Sequence, residues 1–78
     1  MANKSSEERM ARVTIRSGRE SETIEAWRYY SIVNILRQFG ANRKEANEAA
    51  NWARKAEPGE SREVWPNIAM EVASDGTA

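Results

Sequence analysis

The stretch from Ser21 to Phe39 contains neither glycine nor proline and is apolar around well over half of a helical circumference. On a 3.6-residue wheel, Ile24, Ala26, Tyr29, Tyr30, Ile32, Val33, Ile35, Leu36 and Phe39 form one broad arc. Asn34, Gln38 and Ser31 gather opposite, with Trp27 among them. A helix of this kind cannot lie on the rim of a small domain, so the pattern predicts a long central helix packed on two sides.

The rest of the chain supplies its neighbours. Val13 and Ile15 alternate with Arg12, Thr14 and Arg16, the period of a half-buried strand. Gly40 is placed to end the long helix with a positive φ. Asn42 followed three residues on by Glu45 is a capping signal for a second helix over 43–56. The apolar arc of that helix is Ala46, Ala49, Ala50, Ala53 and Ala56, a surface that lets another backbone approach closely. Glu57-Pro58-Gly59-Glu60 is a stop and turn. Ile68, Met70 and Val72 then alternate as a second strand, with Val64-Trp65 as a candidate third before the break at Pro66-Asn67.

The expected plan is strand-helix-helix-strand, a small α+β domain. Its long central helix would sit between a small antiparallel sheet and the alanine-faced second helix. Residues 1–9 and 74–78 read as flexible tails around a single domain over 10–73. Seventy-eight residues bury only a modest core, and there is no cysteine to reinforce it. The polar N-terminus, with Glu7 and Glu8, is unlike a secretory signal, so the expected location is cytoplasmic; no apolar run is long enough for a membrane span.

Chemistry is sparsely supplied. There is no histidine, so acid–base work would fall to Glu, Lys or Tyr. No nucleophile elbow, phosphate loop or metal-ligand spacing occurs, and the expectation is no enzyme, no cofactor and no metal. The loop Arg16-Ser17-Gly18-Arg19 precedes the expected helix start, but the glutamates in that first turn disfavour an anion. Twelve basic residues balance twelve acidic ones, which argues against strong non-specific nucleic-acid binding. Residues 1–19 carry a local surplus of three positive charges. Glu45, Glu48, Glu57, Glu60 and Glu63 are candidates for an acidic face, with solvation the expected role.

Arg12-Val13-Thr14-Ile15-Arg16 before a helix, then Gly40-Ala41-Asn42-Arg43-Lys44-Glu45-Ala46 opening another, resembles a ribbon-helix-helix DNA-binding domain. The resemblance implies a homodimer whose paired strands enter the major groove. Arg12, Thr14 and Arg16 would then read bases, and Asn42, Arg43 and Lys44 would hold a phosphate.

The aromatic residues point elsewhere. Trp27, Tyr30, Trp52 and Trp65 fall near the edges of the apolar faces, and tryptophan, tyrosine and arginine dominate interface hot spots. The leading expectation is a non-catalytic domain that binds another protein through these four aromatics, with Arg54 as a polar contact. In type, the chain is similar to small phage and mobile-element proteins, among them stoichiometric inhibitors such as anti-CRISPR proteins. DNA binding is the alternative.

Overall fold

A computed structural model describes residues 11–74. Strands β1 (Ala11–Ser17) and β2 (Glu20–Glu25) are followed by helices α1 (Tyr29–Gln38) and α2 (Arg43–Lys55), then by β3 (Ser61–Val64) and β4 (Ile68–Ser74). The strands form one antiparallel sheet in the order β2-β1-β4-β3. The α+β plan of paired helices between strands holds. Of the expected tails, 1–9 and 74–78, all but Ser74 lie outside the described residues, and Ser74 ends β4.

The long helix is shorter than its wheel implies. Glu20–Glu25 is a strand, paired with β1 from Ser17↔Glu20 to Arg12↔Glu25. Gly18, at φ 62°, and Arg19 make a two-residue hairpin turn, so no helix follows that loop. Thr23 and Ile24 suit a strand as readily as a helix, and pairing Ile24 with Val13 decides between them. The backbone then turns through Ala26-Trp27-Arg28, and the first α1 bond runs from the Ile32 N–H to the Arg28 carbonyl.

One face of the sheet is apolar along its two central strands, with Glu20, Glu22 and Arg62 at its edges. Val13 and Ile15 of β1, Val64 of β3 and Ile68, Met70 and Val72 of β4 are buried, with Ile24 of β2 half-buried beside Val13. Ile32 and Leu36 of α1 complete the set of large core side chains. Ala46, Ala49, Ala50 and Ala53 of α2 are buried to within 1% exposure. That stripe brings α2 close to both α1 and β3, so α1 does not hold α2 away from the sheet throughout.

The helix ends are built as their residues predict. The Gly40 N–H donates to the Arg37 carbonyl and the Ala41 N–H to the Leu36 carbonyl, a Schellman ending around Gly40 at φ 116°. Asn42 Oδ1 accepts the Glu45 N–H at 2.8 Å. After α2, the Gly59 N–H donates to the Val72 carbonyl and the Val72 N–H to the Glu60 carbonyl, which fixes the crossing to β3 against β4.

The ribbon-helix-helix arrangement is absent among the described residues. Its strand must pair with a second copy of itself, whereas β1 is flanked by β2 and β4 of its own chain. A hairpin, not a single strand, leads into the first helix.

Two substitutions test this packing. Ala49→Leu places three extra carbons where α2 has no room, and it should cost about 1–3 kcal/mol. Asn42→Ala removes the cap and should cost about 1 kcal/mol. Urea unfolding of both variants, read by circular dichroism, measures the two losses.

Candidate functional site

The turn from β2 into α1 gathers the most exposed aromatic surface. Trp27 is 43% exposed and Tyr30 80%, and with Arg28, Tyr29 and Ser31 they line a shallow hollow of about 360 Å³. Arg28 organises it. Its Nε lies 2.9 Å from Glu25 Oε1, and its guanidinium carbon lies 4.9 Å from the Trp27 ring centroid. The cation is thus held between a carboxylate and an indole face, an attraction that fixes both partners. Tyr29 meets Tyr30 edge to face with ring centroids 5.1 Å apart, which settles the first turn of α1.

This helix start disregards the usual capping rules. Arg28 occupies the cap position without a side-chain cap bond, and the first turn carries no acid. Ser, Thr, Asp or Asn is favoured there, and a cation opposes the helix dipole. The sequence therefore gives up local helix stability for an arginine that orders Trp27.

Of the four expected aromatic anchors, Trp52 is half-buried on α2 and packs against the core. Trp65, in the β3–β4 turn, is 68% exposed. It does not join Trp27 and Tyr30. Trp27 follows the end of β2, whereas Trp65 follows β3 at the other end of the sheet and on the other edge. Arg54 is exposed near the end of α2.

The six DNA-binding candidates divide in the same way. Arg12, Thr14 and Arg16 project together from the uncovered face of β1, but that face also carries Glu25 beside Arg12 and Glu71 beside Thr14. Arg16 lies 3.6 Å from Glu71, and the Thr14 hydroxyl is bonded to that of Thr23 at 3.0 Å. Asn42, Arg43 and Lys44 open α2 in the helical layer, across the sheet from that face, and the Asn42 side chain is used as a cap. The residues are not brought into one surface.

Sequence reading passed over the part that Glu25 plays. The signal was the spacing of Glu25 and Arg28, three residues apart on either side of Trp27. No group of three acidic residues that could hold a metal ion occurs among the described residues, and no helix there is long and apolar enough to cross a membrane. No family model, curated protein or solved structure matches the chain.

The carboxyl of Glu25 is held below the ordinary glutamate value chiefly by a backbone hydrogen bond; desolvation opposes this, and the charges of Arg28 and then Arg12 each lower it by a smaller amount. Because the folded value is depressed, its stabilising contribution is complete above the unfolded pKa and is lost as pH falls through the folded one. Carboxyl NMR should place the Glu25 midpoint below that of a free glutamate, and Arg28→Ala should move it upward. An unchanged midpoint in Arg28→Ala would show that the ion pair contributes nothing.

Proposed function

We propose that this protein is a small non-catalytic module that binds another protein, acting stoichiometrically as an inhibitor of the phage and mobile-element type. The observation that carries this reading is the Trp27–Tyr30 surface, which is exposed and apolar, with the Trp27 ring packed on the Arg28 guanidinium. Large aromatic rings left in water on a rigid turn are the usual anchors of protein interfaces. Their order before binding lowers the entropic cost of association. The choice of Arg28 over a capping residue supports the same reading, because local rules are broken most often where a surface has a function.

DNA binding has weaker support, since Arg12 and Arg16 share their face with carboxylates. Under the protein-binding reading, Arg12→Ala and Arg16→Ala leave activity unchanged.

The test is site-specific photocrosslinking in the native host, with the reactive group at Tyr30 and a control at Thr23 on the open sheet face. One adduct of defined mass is expected from Tyr30 and none from Thr23. Trp27→Ala should weaken that association at least tenfold, about 1.4 kcal/mol or more, while leaving the circular dichroism spectrum intact. Equal labelling from both positions, or no loss in Trp27→Ala, would overturn the proposal.

A further inference from the structure

The two exposed tryptophans sit in matching local sequences. Glu25-Ala26-Trp27 ends β2, and Glu63-Val64-Trp65 ends β3. In each, a glutamate stands two residues before the tryptophan, and the small apolar residue between them is buried. At the first site the next residue is Arg28, whose guanidinium fills the space between the Glu25 carboxylate and the Trp27 ring. At the second the next residue is Pro66, and no described residue supplies a paired cation.

Glu63 and Trp65 nevertheless line one hollow of about 520 Å³, with Val64, Asn67, Ile68 and Ala69. Ala69 faces Glu63 across the ladder and leaves the hollow open above it. Glu63 is the one charged residue of that lining, since Glu57 and Glu60 lie toward the other end of β3, where the Glu60 carbonyl accepts the Val72 N–H. Arg62 alternates to the other face of β3, opposite Met70. Arg16, in register with Ala69, is drawn to Glu71 at 3.6 Å. Among the described residues no cation is paired with Glu63.

We infer that the Glu63–Trp65 hollow takes one arginine side chain from a partner protein. This rests on the protein-binding reading and names the partner's chemistry at the second corner of the sheet. The incoming guanidinium stacks on the Trp65 indole and donates its N–H groups to the Glu63 carboxylate, the arrangement that Arg28 makes within the chain at Trp27. Arginine is favoured over lysine because its planar fork satisfies a ring face and a carboxylate together.

The test is an NMR titration of the intact protein with the peptide N-acetyl-Gly-Arg-Gly-amide. The same peptide with citrulline in place of arginine serves as an uncharged control of nearly the same shape. Saturable shifts are expected at the Trp65 indole N–H and at the amides of Glu63 and Ala69, with a dissociation constant on the order of millimolar. The citrulline peptide should produce none. Glu63→Gln, a surface change that keeps the fold, should weaken binding about fivefold or more, and Trp65→Ala should abolish it. Equal shifts from both peptides, undiminished binding to Glu63→Gln, or no saturation up to about 50 mM would overturn the inference. Trp27→Ala should leave this titration unchanged, so failure here is distinguishable from failure of the photocrosslinking at Tyr30.

Discussion

The closeness of α2 to its neighbours is the constraint on which the domain depends. Ala46, Ala49, Ala50 and Ala53 recur at helical spacing and are almost wholly buried, so α2 joins the core while adding hardly any side-chain volume. The space is filled by Ile32 and Leu36 from α1 and by Val13, Ile15, Ile68, Met70 and Val72 from the sheet. Interiors are close-packed, and a layer made of methyl groups leaves no room for an indole. The aromatic residues are consequently placed around the core. Trp52 lies along its edge, and Trp27, Tyr30 and Trp65 are displaced to the turns.

Strand register determines what the other side of the sheet presents. Once Val13, Ile15, Met70 and Val72 face the helices, the pleat sends Arg12, Thr14, Arg16, Ala69, Glu71 and Ala73 to the open face. Charges of both signs alternate there with small side chains. The edges are guarded as well. β2 carries Glu20, Glu22 and Glu25, and β3 is only four residues long, features that discourage pairing with another chain. Exposed apolar surface is therefore concentrated at the two corners where the edge strands end.

Much of this was legible in the residues. The alternation of β1 and β4, the alanine stripe, the Asn42 cap and the Gly40 ending each follow from local chemistry that the tertiary structure preserves. β2 was concealed because Ser21 to Glu25 continues the helical arc of the residues after it, and Ile24 fits either period. Only the pairing of Ile24 with Val13, a contact between segments, separates the two. The Gly18-Arg19 turn was the available sign, since two residues containing a glycine after an alternating run form a hairpin loop. The same misreading placed Trp27 inside a helix, whereas it lies in a turn where Arg28 can reach both it and Glu25. The likeness between Glu25-Ala26-Trp27 and Glu63-Val64-Trp65 carries meaning only once both are seen to end edge strands.

The separation of the two corners makes their energetics independent. Glu25 lies at the end of the sheet where Arg12 pairs, and Val64 at the end where Ser17 and Ile68 pair. Strands rise about 3.3 Å per residue, so these ends are roughly 15–20 Å apart along β1, with further distance across the sheet. Sites more than about 10 Å apart that share no partner contribute additively. Under the proposed reading Arg28 and the Glu63 carboxylate act on different ligand groups. At Trp27 the chain has already neutralised its carboxylate and presents chiefly apolar surface, whereas among the described residues no cation pairs with Glu63 beside Trp65. In the proposed complex the first corner would contribute affinity through desolvated rings, and the second would add specificity through the Glu63 charge.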